Sequence, residues 1–300
     1  MVIDIPQAPG IYTPGKVKRA VPLLALVILA GTSCVSAERP RTVVATTYPL
    51  AWGARHLASI GYGWRVIDLS PDPGMPVGKV ALSSKDREAI RRAGIVLYLG
   101  DVGFQPEVEE AVRAAEGDVV KVSDCGPGCV YWGRGYQDPW VLHEMLEKVA
   151  VAFGEVDPSR AWEYESSTDP GLRLLSEKYG EALAACRYEL LIVPREAYRP
   201  LASWLGLEQL ALIGPDGELR HERLEEARRR LAGGEAGAVF YDPSGFHREE
   251  IERFGAGAGV SALPLDPMDS RPAAGDYLTV ARANLESLLL GLDCRSDGYE

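Results

Sequence analysis

The sequence has few residues of the kinds that metal and nucleophile chemistry require: four histidines and five cysteines among 300 residues. It also has fewer basic than acidic residues: 32 lysines and arginines against 43 aspartates and glutamates give a formal net charge of -11. A nucleic-acid-binding protein normally presents a basic face, so we expect no nucleic-acid partner. No P-loop, GxSxG or HExxH pattern occurs in the sequence, and we therefore expect that the protein is not an enzyme.

Hydrophobic runs of membrane-spanning length are absent too. The apolar run at residues 21–31 (VPLLALVILAG) is about half of the roughly 20 residues that a spanning helix needs. Basic residues precede it and small residues follow, which is the order of a secretory signal. Cys34 in AGTSC resembles the lipidated cysteine of a lipoprotein. We expect residues 1–34 to be a signal peptide and the rest to be secreted or at the cell surface, with a lipid anchor at Cys34 as its only attachment to the membrane. The alternative is an N-terminal helix that anchors the chain or is buried.

The remaining sequence alternates short apolar segments with amphipathic ones, and it does so twice. Residues 94–100 (GIVLYLG) are typical of a buried strand. Residues 83–93 (SSKDREAIRRA) begin with serines and acids and end in bases, as a helix dipole favours. The predicted strands are 41–46, 64–69, 94–100, 119–122, 189–193, 209–213, 238–241 and 260–263. The predicted helices are 49–59, 83–93, 106–115, 141–154, 159–186 with a break at 169–171, 196–205, 221–232, 247–255 and 277–290.

Two strand–helix series separated by a helical block predict an α/β fold. Its two lobes would each hold a mostly parallel sheet flanked by helices, joined by a helical segment. The predicted lobes are residues 35–154 and 188–293, with the connecting segment at 155–187 and a tail at 294–300. Ligands of such sheets bind beyond the carboxyl ends of the strands, so the residues that follow the strands are the candidates for a cleft between the lobes.

Several segments resemble the solute-binding proteins that deliver zinc or manganese to ABC importers. The similarity extends over residues 41–292 and is carried by the order and spacing of the pieces. They are VVATTYPLAWGARHLASI at 43–60, PDPGMPVGKVALSSKDREAIRRAGIVLYLG at 71–100, Asp138-Pro139 before a helix, the apolar pattern at 197–207, LPLDPM at 263–268 and the helix pattern at 277–288. The resemblance implies a two-lobed solute-binding fold with limited closure, and an ABC permease as partner.

The resemblance also implies a set of metal ligands, and most of them are replaced. The family's first histidine falls on Gly78, the second on Trp140 and the third, a histidine or glutamate, on Arg195. The final carboxylate is kept at Asp266. Zinc requires about four N, O or S ligands. Zinc at about 5 Å from a guanidinium is repelled by roughly 6–7 kcal/mol at an effective dielectric of 20. Asp266 is the carboxylate we expect to neutralise Arg195.

Two alternatives remain for the cleft. In one, a shifted metal site uses His143, Glu196, Asp242 and Asp266; against it, His143 would lie on a helix flank and Glu196 would cap a helix. In the other, the cleft takes a small anionic or aromatic solute through Arg195 and Trp140. The residues expected to line the cleft are Tyr48, Gly78, Trp140, Arg195, Asp242 and Asp266.

The cysteines give a further set of expectations. Cys125 and Cys129 lie four apart in a glycine-rich loop, and outside the cytoplasm a small disulfide is favoured over free thiols or a metal site. Cys186 and Cys294 either pair or are buried thiols.

The sequence therefore predicts an extracytoplasmic solute-binding component of an ABC importer, of the zinc or manganese type by resemblance, with three of four ligands replaced. The alternative from a different functional class is a surface protein that takes no part in transport and serves adhesion or assembly.

Overall fold

A computed structural model describes residues 41–73, 81–100, 105–122, 132–214, 217–245 and 247–294. The predicted signal peptide with Cys34, the ligand position Gly78 and the predicted disulfide of Cys125 with Cys129 lie outside these ranges.

Within these ranges, eight four-residue strands form two parallel sheets of the same topology. The first sheet has the order β2-β1-β3-β4 and the second β6-β5-β7-β8. All neighbouring strands are parallel, for example Val44 beside Ile67 and Phe240 beside Leu263. The predicted two-lobed α/β fold is confirmed. The strands are β1 (Thr42–Ala45), β2 (Arg65–Asp68), β3 (Ile95–Tyr98), β4 (Asp118–Lys121), β5 (Leu190–Val193), β6 (Glu208–Ala211), β7 (Ala238–Tyr241) and β8 (Ser261–Pro264).

Helices cover both faces of each sheet. Local sequence sets their ends: Ser83 accepts a hydrogen bond from the Asp86 backbone N–H, and the Asp86 carboxylate accepts one from the Ser83 N–H. The α-helices are α1 (Tyr48–Ala58), α2 (Ser84–Arg92), α3 (Pro106–Val112), α4 (Pro139–Val156), α5 (Ala161–Glu165), α6 (Leu172–Leu183), α7 (Arg199–Trp204), α8 (His221–Ala232), α9 (Arg248–Ala258) and α10 (Tyr277–Gly291). No helix among the described residues is long and apolar enough to cross a membrane.

One predicted helix differs from the observed one and another is interrupted as predicted, in both cases for reasons of backbone chemistry. The predicted helix 196–205 is a 3-10 turn followed by α7, because proline fits only the first turn of an α-helix and Pro200 therefore places the start at Arg199. The break predicted at 169–171 within the segment 159–186 is confirmed, because the segment is divided into α5 and α6. Gly171 between them has φ +94°, a left-handed conformation that favours glycine.

The two sheets share one hydrophobic core. It runs from Val43 and Leu97 in the first sheet through Leu146 on α4 to Leu191 in the second sheet and Leu288 on α10. Each sheet has a separate core on its other face, under α2 and α3 in the first lobe and under α8 and α9 in the second. The predicted connecting segment, residues 155–187, contains α5 and α6, and both pack on α4.

Helix α1 approaches α4 closely at Gly53. A Cβ atom added there would lie 2.1 Å from Leu146 Cδ2, so only glycine fits without repacking. Gly180 on α6 is the opposite case, because a Cβ there would meet nothing within 4 Å.

Cys186 and Cys294 form a disulfide across 108 positions of the chain. Cys186 follows α6 and Cys294 follows α10, so the bond joins the two ends of the second lobe. The backbone N–H groups of Arg187 and Tyr188 also donate to Leu292 O, both at 3.1 Å. Of the two alternatives for this pair, the structure has the disulfide.

Candidate functional site

Three predicted cleft residues meet at the carboxyl edge of the second sheet. Arg195 follows β5 by two residues, Asp242 comes directly after β7, and Asp266 follows β8 by two residues. Their backbones lie together because neighbouring parallel strands end at the same edge.

Arg195 forms ion pairs with two buried aspartates. Its Nη2 lies 2.8 Å from Asp242 Oδ2 and its Nη1 lies 3.3 Å from Asp269 Oδ2. The side chains of Asp242 and Asp269 are 4% and 2% exposed, and that of Arg195 is 21% exposed. Although burial opposes the charge, the two carboxylates raise the Arg195 pKa, so the guanidinium is a permanent cation. We call Arg195, Asp242 and Asp269 the arginine centre.

The expected partner of Arg195 was Asp266, and that expectation is wrong. The Asp266 carboxylate Oδ1 instead accepts the Met268 backbone N–H at 2.7 Å. The Asp266 backbone exchanges two hydrogen bonds with the Asn284 side chain, each 2.8 Å long. Burial, together with the charges of Asp242 and Asp269, raises the Asp266 pKa to about 6. Asp266 therefore shapes the loop after β8, and Asp269, three positions on, supplies the carboxylate.

This loop, residues 265–271, is here called the cleft loop, and it is fixed by hydroxyl and amide groups from other elements. The Tyr136 hydroxyl donates to Asp269 Oδ1, and the Tyr198 hydroxyl donates to Leu265 O. Gln137 Nε2 donates to Pro267 O at 3.2 Å. Tyr136 and Gln137 belong to a 3-10 turn before α4, so the first half of the chain holds a loop of the second half.

Two buried acceptors in this region have no hydrogen-bond donor among the described residues. They are Gln137 Oε1 and Asp269 Oδ2, the latter facing Arg195 without hydrogen-bond geometry. Buried polar atoms normally find a partner, so these oxygens mark the part of the molecule where polar bonding is incomplete.

A second polar cluster contains Tyr48, which lies apart from the arginine centre. Asp68 at the end of β2 is 2.6 Å from Arg55 and 2.9 Å from Arg271 of the cleft loop. Burial raises the pKa of Tyr48, and the charges that act on it are those of Asp276, Arg55, Asp68 and Arg271. This cluster joins the first lobe to the cleft loop.

The remaining candidates point elsewhere. His143 Nδ1 is 3.3 Å from Thr168 O, and its Nε2 is 3.7 Å from the Glu147 carboxylate. The Trp140 indole N–H donates to Glu144 at 3.1 Å, and the Trp140 ring lies 5.5 Å from that of His143. Glu196 pairs with Arg199 at 2.7 Å. The structure therefore does not bring His143 and Glu196 to Asp242 and Asp266.

The donor set at the arginine centre does not fit zinc. Zinc sites use about four ligands drawn from histidine, cysteine and carboxylate groups, whereas this centre offers only carboxylate oxygens that are already paired with a guanidinium. Across the described ranges, no group of three or more His, Cys, Asp or Glu side chains has an arrangement that could hold a metal ion.

Sequence reasoning missed Asp269 and the contact that Tyr136 makes with it. A signal for Asp269 was present, since it is the second acid of the segment LDPMD after a predicted strand. Tyr136 carried no comparable signal, because it is 133 positions from Asp269 and only the tertiary fold brings them together.

Comparison with known proteins identifies the family. Residues 43–290 match the family model of ZnuA, described as zinc-uptake complex component A, periplasmic. The zinc-binding protein AdcA of Streptococcus pyogenes serotype M3 is 23% identical over an alignment of 225 residues that covers 72% of this chain and 43% of that protein. The chain thus spans less than half the length of the curated relatives it matches.

Solved structures share the fold. The laminin-binding protein Lmb of Streptococcus agalactiae, described as a bifunctional protein with adhesin and metal-transporting activity, has a TM-score of 0.72 at 21% identity and covers 84% of this chain and 99% of its own. The Zn(II)-bound ZnuA-like domain of Streptococcus pneumoniae AdcA gives 0.69 at 20% identity, covering 84% and 98%. The periplasmic zinc-binding protein TroA of Treponema pallidum gives 0.70 at 16%, covering 84% and 98%.

These relatives are binding and transport proteins, which agrees with the expectation of a chain that is not an enzyme. The family is extracytoplasmic and acts with ABC permease components. A family model matched over residues 43–290, together with two parallel four-stranded sheets of the same fold, places the chain: it belongs to the ZnuA family of metal-type ABC solute-binding proteins.

Proposed function

We propose that the chain is the extracytoplasmic solute-binding component of an ABC importer and that it does not capture zinc at the position where Arg195 lies. It would be held at the membrane by a lipid on Cys34 and would dock on a permease. The single observation that carries the proposal is the ion pairing of Arg195 with Asp242 and Asp269 at the carboxyl edge of the second sheet.

A divalent cation would have to displace the guanidinium to reach these carboxylates. Two buried carboxylates that already share a cation lose that attraction before they gain a metal, and the displaced Arg195 would then repel the ion. Asp266 is already engaged within the cleft loop, because its Oδ1 accepts the Met268 backbone N–H at 2.7 Å.

The geometry gives less support to an anionic or aromatic solute. The Arg195 charge is balanced by two carboxylates, and the Trp140 indole donates to Glu144 on its own helix. The Arg195 charge is therefore already neutralised in the state described, and the Trp140 N–H already has an acceptor.

Titration of zinc and manganese into residues 35–300, stripped with chelator and purified without a tag, tests the proposal. This piece contains the compact unit that begins at Arg39. We expect no one-to-one binding up to about 100 μM metal, far above the range of a capture protein. Tight stoichiometric binding, confirmed by elemental analysis, would contradict the loss of the metal site.

The transport part needs its own measurement. An ABC permease and ATPase of the metal-uptake type from the same organism, reconstituted in vesicles, should show faster ATP hydrolysis when the metal-free protein is added. A solute-binding protein of an unrelated family is the control. If ATP hydrolysis stays unchanged, the importer role is contradicted and surface adhesion becomes the better reading.

A further inference from the structure

We propose that the arginine centre is a carboxylate-lined cation site that the chain fills with its own guanidinium. Arg195 then acts as a built-in ligand that holds the cleft loop in place without any captured solute. This inference rests on the proposed function, since it explains what occupies the site in place of a metal.

The carboxylates require a cation. Asp242 and Asp269 are almost fully buried, and a buried carboxylate is costly unless it is paired. Among the described residues, Arg195 is the only cation that forms an ion pair with either of them. Within the described part of the chain, Asp269 Oδ2 accepts no hydrogen bond, so the charge of Arg195 stabilises this oxygen.

Each carboxylate is oriented like a metal ligand. Asp242 offers Oδ2 to Arg195, while its Oδ1 accepts the Ser244 backbone N–H at 3.0 Å and the Ser244 hydroxyl at 2.9 Å. Asp269 offers Oδ2, while its Oδ1 accepts the Tyr136 hydroxyl. One oxygen of each carboxylate is fixed by a hydrogen bond from the protein and the other faces the cation. Side chains that bind a metal ion are held in the same way, by hydrogen bonds from groups that do not touch the metal.

The cleft loop carries this hold to the first lobe. Arg195 and Tyr136 fix Asp269, and Arg271, two positions further along the same loop, reaches Asp68 at 2.9 Å. When Asp269 loses its cation, the loop loses the charge that positions it, and the contact between Arg271 and Asp68 loosens with it.

The ligand class follows from the donor set. Two carboxylate oxygens facing one planar group suit a guanidinium, which presents several N–H donors in a fixed fork. Truncation of Arg195 should therefore leave a site that accepts free guanidinium.

The test compares wild type with Arg195→Ala in 20 mM guanidinium chloride and in 20 mM sodium chloride. In sodium we expect the variant to melt about 10 °C below wild type, because an unpaired buried charge is strongly destabilising. Guanidinium should restore at least half of this loss in the variant and should not raise the melting temperature of wild type. Hydrogen exchange of residues 265–271 should accelerate in the variant and slow again with guanidinium.

Arg199→Ala is the matched control, because it removes a nearby arginine from a solvent-exposed pair with Glu196. We expect it to melt within about 2 °C of wild type and to gain nothing from guanidinium. If Arg195→Ala melts with wild type or gains no more from guanidinium than Arg199→Ala does, the inference is overturned.

A second pair of variants decides the matter if Arg195→Ala does not fold. Arg195→Lys keeps a cation and should melt within about 5 °C of wild type, whereas Arg195→Met keeps length without charge and should lose as much as alanine or fail to fold. Equal stability of the lysine and methionine variants would overturn the inference. The two failures are distinguishable. Zinc binding by wild type contradicts the proposed function. If wild type binds no metal and Arg195→Met is as stable as wild type, only the inference about the built-in ligand is contradicted.

Discussion

Asp68 and Arg271 are 203 positions apart in the chain, and their side chains meet at 2.9 Å. Asp68 ends a strand of the first sheet and Arg271 lies on the cleft loop of the second lobe. Because Asp68 is 4% exposed and also pairs with Arg55 at 2.6 Å, the contact joins the lobes at a nearly buried carboxylate.

Loss of the Asp68 charge should destabilise the protein more than loss of its outer partner. We expect Asp68→Asn to lower the free energy of unfolding by about 1–3 kcal/mol, because two arginines lose their shared acceptor. Arg271→Met should cost no more than about 1 kcal/mol, since Arg271 is 62% exposed. Urea denaturation of both variants measures the difference. Equal losses would show that the buried carboxylate has no special weight.

The titration of Asp266 should contribute to the pH dependence of stability. Its pKa is raised in the folded state from the ordinary value of 3.8 to about 6, mainly by burial. Between these values the folded state binds more protons than the unfolded one, so the contribution of Asp266 to stability falls as pH rises from about 4 to 6. Asp266→Asn should therefore flatten that part of the profile and stabilise the protein at pH 7.5. Chemical denaturation at a series of pH values checks this.

Asp138 complicates the profile and supplies the control. Burial raises its pKa to about 6 as well, so wild type loses stability through both groups over the same pH range. Asp138→Asn should remove the part of the pH dependence of stability that Asp138 contributes. The double variant Asp138→Asn/Asp266→Asn should remove nearly all of the pH dependence that the two groups contribute. A wild-type slope that survives in the double variant would contradict the assignment.

Glycine at the contact of α1 with α4 should be essential for close packing. We expect Gly53→Ala to cost about 1–3 kcal/mol, because its Cβ would overlap Leu146. The matched control is Gly180→Ala on α6, where the added methyl meets nothing within 4 Å and better helix propensity should stabilise by up to about 1 kcal/mol. Thermal melts of the two variants should move in opposite directions, and a shift in the same direction would contradict the packing argument.

Reduction of the disulfide should lower stability substantially. Cys186 and Cys294 close a loop of 108 positions, and loops of that size are stabilised by about 4–5 kcal/mol in the chain-entropy model. We expect the Cys186→Ala/Cys294→Ala variant to lose about 2–5 kcal/mol by urea denaturation. Adding reductant should bring wild type to the same value and leave the double variant unchanged. Insensitivity of wild type to complete reduction, verified by thiol titration, would show that the bond carries no such weight.

Sequence reasoning was sufficient for the parts of this molecule that local patterns determine. The strand at Ala238–Tyr241 and the helix at His221–Ala232 were predicted with their observed bounds, because apolar runs and charge order mark such elements. Arg195 and Asp242 were predicted as cleft residues because both directly follow strands of one sheet.

Partner choice could not be predicted in the same way. Asp242, Asp266 and Asp269 all lie near the carboxyl edge, and only side-chain packing decides which of them Arg195 contacts. Asp266 was favoured by family resemblance, yet its carboxylate accepts a backbone N–H of its own loop. The helix starts at Pro139 and Arg199 differed from the predicted starts at 141 and 196, because each helix carries a proline in its first turn and the predicted bounds did not use that mark.

The disulfide gives the second lobe an unusual mechanical position. Cys186 precedes the first strand of that lobe and Cys294 follows its last helix. The disulfide therefore closes residues 187–293 into a covalent ring that is joined to the rest of the chain at the disulfide. A pull applied to the two ends of the chain would pass from Cys186 directly to Cys294 and leave the second sheet unloaded. Stretching would extend the first lobe and α4 to α6, while the arginine centre would stay folded until the sulfur–sulfur bond is cut.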